Sequence, residues 1–394
     1  MQLAKDNPDL AWQMAVAAAQ RPDPVLRLSL DNLPVNGPDR FSTTRDFMTM
    51  RSVGVMQEIT RSDKLKARSA RFNREAEAAE ASRAVALANL RRDTAMAWLD
   101  RYYQERMLDV LRTQRAEASL QIEAADAAYR GGRGTQADVF AARSMVAQMD
   151  DRIRQTEKQV GTAKIKLARW IGNDAAQALE TPPSLSAVPL DLIGLEDQLE
   201  HHPQIALMAK QEEVARADAD IAQSNKRADW SVELMYSQRG PAYSNMVSVN
   251  VSIPLQWDQK NRQDRELAAK LAAAEQMRAQ REESTREHVA DTRIWLQEWQ
   301  SNRERLAHYD SDLIPLSLER TRAAIAAYRG GSGQLTSVLE ARRMEIDTRM
   351  DRLRLAMETA AVWAQLKYLI PAEHQTNAEP RLPSLPTTTT ATEK

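Results

Sequence analysis

The sequence predicts a mainly α-helical chain with a small β part, built as two copies of one unit, and three observations carry that prediction. Residues 63–129 contain neither glycine nor proline, and 258–328 contain only Pro315, so each stretch reads as one very long helix. Four short segments, two in each half, alternate apolar and polar residues with the period of a strand. A sixteen-residue segment, Ala128 to Arg143, returns as Ala327 to Arg342 with nine identities at an offset of 199.

In chain order, Leu10 to Gln20 is a short uncharged stretch, read as a helix rather than as the apolar core of a signal peptide. Leu26, Leu28 and Leu30 then alternate with Arg27, Ser29 and Asp31, and Val53, Val55 and Ile59 share one face of a second run. The long helix of 63–129 follows, at ~1.5 Å per residue about 100 Å long. Nine alanines between Ala76 and Ala97 permit close helix approach. A Gly-Gly-x-Gly turn leads into a half-length helix over about 134–171. The second half repeats the order: a helix over about 193–227, starting near His202-Pro203, then Trp230 to Tyr236 and Val247 to Leu255 as strands joined near Gly240-Pro241. The long helix of 258–328 and the second glycine turn complete it. Residues 1–190 and 191–370 are the two repeats, and 371–394, rich in proline and threonine, read as a disordered tail.

Composition removes several function classes. With no cysteine, thiolate metal sites, thiol nucleophiles and disulfides are excluded. Net charge is -1, so no basic excess points to nucleic acid. The longest uncharged run, Gly240 to Trp257, contains two prolines and cannot be a membrane-spanning helix, so any crossing must be β-structure. Four strands cannot close a barrel, and open edges are not tolerated in lipid; closure requires strands from several chains. The long helices likewise need copies of themselves to pack against.

Other features read as structure. His201 and His202 are adjacent and point apart on a helix, so they do not share a metal. Met48, Met50 and Met56 carry soft thioethers, but their place in a strand favours lipid or packing contact. Gly131-Gly132-Arg133-Gly134 lacks the lysine and hydroxyl of a phosphate loop. No nucleophile, base and orienting group assemble, so no enzyme activity and no cofactor are expected.

The repeat, its Tyr-x-x-Gly turns and the strand pairs resemble the TolC family of outer-membrane efflux factors over nearly the whole chain. The resemblance implies a homotrimer whose 12-stranded membrane β-barrel, four strands per chain in outer-membrane lipid, continues into a long periplasmic α-helical barrel. It implies a periplasmic adaptor and an inner-membrane RND-type transporter as partners. Tyr129, Gly131, Gly132 and Gly134, and their repeats Tyr328, Gly330, Gly331 and Gly333, are then the periplasmic tips that dock on the adaptor. Asp138 holds an acidic gate position of the first repeat; in the second that position is Ser337, and Glu340 is the next acidic candidate. Segments Asp23 to Leu26, Asn32 to Pro34 and Phe47 to Glu58 are similar to the branch serving cobalt–zinc–cadmium and copper–silver resistance. A channel for drugs or organic solutes is the alternative, ahead of a periplasmic adaptor or a coiled-coil scaffold.

Overall fold

The computed structural model describes residues 7–190 and 195–371. The signal-like beginning before Asn7 and the tail beyond Pro371 lie outside the described residues. The elements are α1 (Pro8–Ala18), β1 (Val25–Asp31), β2 (Met50–Ile59), α2 (Ser62–Arg130), α3 (Gln136–Ile171), α4 (Leu195–Leu199), α5 (Pro203–Asn225), β3 (Trp230–Gln238), β4 (Met246–Ser252), α6 (Gln263–His308), α7 (Ile314–Arg329) and α8 (Leu335–Lys367). Two compact units result, one made of Met1–Ala86 with Pro203–Thr285 and one of Leu87–His202 with Arg286–Lys394. Each unit takes one segment from each repeat, so the compact units cut across the repeat boundary at 190.

The first unit holds an antiparallel sheet of order β1-β2-β3-β4. Its helical segments are held by ion pairs between neighbours, with Arg71 2.8 Å from Asp218, Lys210 2.8 Å from Glu77 and Arg281 2.9 Å from Glu212. Lys64, itself buried, reaches Asp229 at 2.7 Å and ties the start of α2 to the residue before β3.

The second unit is a helical assembly packed on a seam. Along α3 the buried positions Val139, Ala142, Val146, Met149, Thr156, Val160, Ala163 and Leu167 fall at alternating three- and four-residue steps, apart from the half-buried Ile153. That spacing keeps one stripe facing a partner helix, as in a coiled coil. On α2 the answering stripe is Leu99, Tyr103, Met107 and Leu111, which shares a core with Ile346, Met350, Trp363 and Leu366 of α8. Arg115 to Asp150 at 2.9 Å and Arg112 to Glu157 at 2.7 Å flank the α2–α3 pair. These pairs are exposed and fix alignment more than stability. Arg101 is different. It is buried and donates to the carbonyls of Ala175 and Gln177 at 2.7 and 2.8 Å, pinning the chain after α3.

Three sequence expectations change. The second long helix begins at Gln263 rather than Asp258, because Asp258 to Arg262 form turns. It is not continuous to Tyr328: a π-helical turn, Tyr309–Leu313, separates α6 from α7, with Pro315 at the start of α7. Proline offers no N–H and its ring crowds the carbonyl four residues back, and the wider turn absorbs that mismatch. The expected helix of 193–227 is divided before Pro203, so that α5 begins there. No helix among the described residues is long and apolar enough to cross a membrane.

His202 lies in the second unit, where its ring meets His288 edge-on with centroids 4.5 Å apart. Burial, then the neighbouring His288 and Arg92, push its pKa down to about 4. The folded value lies below the ordinary 6.5, so between those values the unfolded chain binds more protons. Stability is therefore full above about pH 6.5 and falls as pH drops toward 4, by up to about 3 kcal/mol. Denaturant titrations at pH 7.5 and 4.5 are expected to show this loss, and His202→Phe should remove most of it. An unchanged pH slope in His202→Phe would assign the loss to other groups.

Candidate functional site

The sheet has two faces of opposite character, and the register fixes which residues share each. On one face lie the rows Leu26–Val55–Leu234–Val249 and Leu28–Val53–Tyr236–Val247. On the other lie Val25–Met56–Glu233–Asn250, Arg27–Gly54–Met235–Ser248 and Ser29–Ser52–Ser237–Met246. In a water-soluble sheet the apolar face is the buried one. Here the order is inverted: Leu28 is 75% exposed, Val247 67% and Val249 65%, whereas Ser52, Glu233 and Ser237 are buried. Pro254 ends β4, yet Ile253 and Leu255 beyond it remain exposed on the same alternation.

The polar face is internally bonded. Asp31 Oδ2 accepts from the Ser29 hydroxyl at 2.9 Å and the Ser52 hydroxyl at 3.1 Å, and Ser52 and Ser237 share a 2.9 Å hydrogen bond across β2 and β3. Arg27 Nε stands 3.4 Å from Glu233 Oε1, and Asn250 donates to Oε2 of the same carboxylate at 3.4 Å. Polar groups that satisfy one another shield themselves without an apolar cover. Gly54 permits the close β2–β3 approach, since a Cβ there would stand 2.9 Å from the Leu234 carbonyl. The outer strands β1 and β4 leave two open edges among the described residues.

The expectation that the strand methionines meet lipid or core is corrected by this register. Met50 and Met56 lie on the polar face, opposite Asp31 and between Val25 and Glu233. Met48 precedes β2 and is exposed.

The two glycine turns have the same backbone. In the first, Arg133 N donates to Ala128 O at 2.9 Å and Gly132 N to Tyr129 O at 3.0 Å. In the second, Ser332 N donates to Ala327 O at 3.0 Å and Gly331 N to Tyr328 O at 3.1 Å. This is the Schellman ending of a helix, which requires a left-handed residue at its pivot. Gly132 and Gly331 supply it with φ of 69° and 75°. Gly134 and Gly333 serve proximity instead: a Cβ on Gly333 would fall 2.9 Å from the Ala327 Cβ, and one on Gly134 3.2 Å from that of Ala128. Gly131 and Gly330 need no unusual conformation, although a Cβ at either would sit 3.3 Å from a helix carbonyl. The turns are joined by a small core of Ala125, Val139 and Ala142 with Leu335 and Val338.

Beyond the turns the copies diverge. Asp138 closes a capping box: its backbone N–H donates to Thr135 Oγ1 at 3.2 Å, and its Oδ2 accepts from Thr135 N at 2.9 Å. The Thr-x-x-Asp spacing carried that signal in the sequence, and the reading as a gate passed over it. In the second copy Gln334 is the N-cap and makes no side-chain cap. Glu340 is exposed and its carboxylate appears in no ion pair, while Arg343 leans toward Asp347 at 3.9 Å.

No family model matches the chain, and no curated protein matches it. Solved structures do. The outer-membrane channel OprN is 17% identical, with a TM-score of 0.76 over 92% of this chain and 84% of its own. The outer membrane protein VceC of Vibrio cholerae is 17% identical, with a TM-score of 0.74 over 93% and 90%. CusC, whose structures describe folding and transmembrane channel formation, is 14% identical, with a TM-score of 0.74 over 92% and 86%. At these identities the likeness establishes the fold: long helices and a four-stranded sheet in the TolC-like channel arrangement.

Proposed function

We propose that this chain is the outer-membrane channel subunit of a tripartite efflux pump and that it conducts heavy-metal cations. The observation that carries the reading is the inverted sheet. An exposed apolar face, a shielded polar face and two open edges suit a segment of barrel wall with lipid outside and water inside. Four strands per chain are too few to close, and three copies give twelve. The helices, with exposed apolar residues such as Leu120, Phe140, Ile165 and Leu316, pack against the neighbouring copies in the periplasm. The shared fold with OprN, VceC and CusC supports a channel rather than an adaptor or scaffold. The segments around Asp23 and Phe47 support the metal branch. The adaptor meets the tips at Gly131 to Gly134 and Gly330 to Gly333, and an RND-type transporter supplies the cargo. Fractionation tests the reading: heat-modifiable trimers in the outer membrane are expected, and a wholly soluble pool would discard it.

The same assembly gives Glu340 a role. Three copies place three carboxylates around one axis, where mutual repulsion favours cations. Asp138, spent on its cap, contributes less. Single-channel recordings of Glu340→Gln in planar bilayers are expected to lose cation preference and block by multivalent cations, and Asp138→Asn to keep both. Wild-type selectivity in Glu340→Gln would remove Glu340 from the gate.

A further inference from the structure

The polar face of the sheet carries an anomaly of residue type. Among the paired strand residues on that face, Val25 apart, every apolar side chain is a methionine: Met50, Met56, Met235 and Met246. The opposite face, rich in leucine and valine, holds none. Apolarity alone would not sort methionine away from leucine and valine in this way. What distinguishes methionine is its polarisable sulfur.

Register brings three of these sulfurs within mutual reach. Met56 pairs with Glu233 and Gly54 with Met235, so Met56 and Met235 are diagonal neighbours across β2 and β3. Ser237 pairs with Met246 and Met235 with Ser248, so Met235 and Met246 are diagonal neighbours across β3 and β4. Diagonal neighbours stand ~7–8 Å apart at Cα, which long side chains span. Gly54 has no side chain to fill the space beside Met235, and Ser237 and Ser248 fill little. The sulfur of Met56 is already used as an acceptor, with Arg27 Nη2 3.3 Å away. That arginine also faces Glu233, whose carboxylate stands beside the site and balances a positive charge.

We propose that Met56, Met235 and Met246 form a thioether site for a soft monovalent cation, Cu(I) or Ag(I), on the water side of the sheet. The proposal rests on the reading of that face as the inner wall of a barrel. Neutral thioethers prefer soft ions and leave Zn(II), which favours imidazole, thiolate and carboxylate, unbound. Arg27 would release the Met56 sulfur as the cation enters and remain on Glu233.

The test uses the full-length protein in detergent, labelled with 13C at the methionine methyls and titrated with silver nitrate in chloride-free buffer. One saturable Ag(I) per chain is expected, shifting the methyl signals of these three residues, while zinc sulfate shifts none of them. Met56→Leu/Met235→Leu/Met246→Leu is expected to weaken binding at least about tenfold. Should that variant fail to fold by circular dichroism, Met235→Leu alone, which removes the central sulfur, is expected to weaken it as well. Equal affinity in wild type and Met235→Leu, or shifts confined to methionines on the helices, would overturn the site. Planar-bilayer conductance of the same wild-type preparation keeps the two readings apart. Conductance without methionine-dependent Ag(I) binding sinks the site alone, and Ag(I) binding at these methionines without conductance upholds the site and sinks the channel.

Discussion

Val249→Arg is expected to abolish trimers in the outer membrane while leaving the helical unit folded. Val249 lies in the middle of β4, pairs with Leu234 and is 65% exposed on the apolar face. If that face meets lipid, an arginine near the bilayer midplane costs about 2–4 kcal/mol, and a trimer bears it three times, so roughly 6–12 kcal/mol. That is comparable to the whole stability of an ordinary domain, roughly 5–15 kcal/mol. Ser248→Arg, one residue earlier and on the opposite face, supplies the control. It adds the same charge to the water side, where trimer yield is expected to hold. Gel analysis of unheated membrane extracts reads both. Normal trimers from Val249→Arg with none from Ser248→Arg would reverse the assignment of the faces.

Periodicity made much of this molecule legible, and its limits are equally physical. The strands were readable because a period of two survives any context, and α2 because nothing in 63–129 breaks a helix. Alternation alone does not say which face is covered. The exposure of Leu28 and Val247, with Ser52 and Ser237 buried, decides that. The tip turns were readable from their glycines, yet the separate duties of Gly132 and Gly134 appeared only with φ values and Cβ distances. Long-range pairings left no trace in the sequence. His202 and His288 meet because α5 and α6 are brought together, and the diagonal of Met56, Met235 and Met246 depends on a register that joins the two repeats. Pro315 announced a break, though not the π-helical turn that precedes it.

The second large effect is expected at the tips. At Gly132 and Gly331 an added Cβ would meet nothing within 4 Å, so a substitution there is charged only for its backbone. A β-branched residue held at a φ of 69° or 75° costs about 1–2 kcal/mol, and asparagine much less. The double variant Gly132→Val/Gly331→Val should therefore distort both turns and lose pump-dependent metal resistance. The sheet contains neither residue, so membrane trimers should persist. Gly132→Asn/Gly331→Asn should retain resistance, because the turn keeps its left-handed pivot. This ordering separates turn geometry from the mere loss of glycine, and crosslinking of the tips to the adaptor would follow the same order if docking is the step affected. Full resistance in the double valine variant, at normal trimer levels, would place the docking surface elsewhere on the helices.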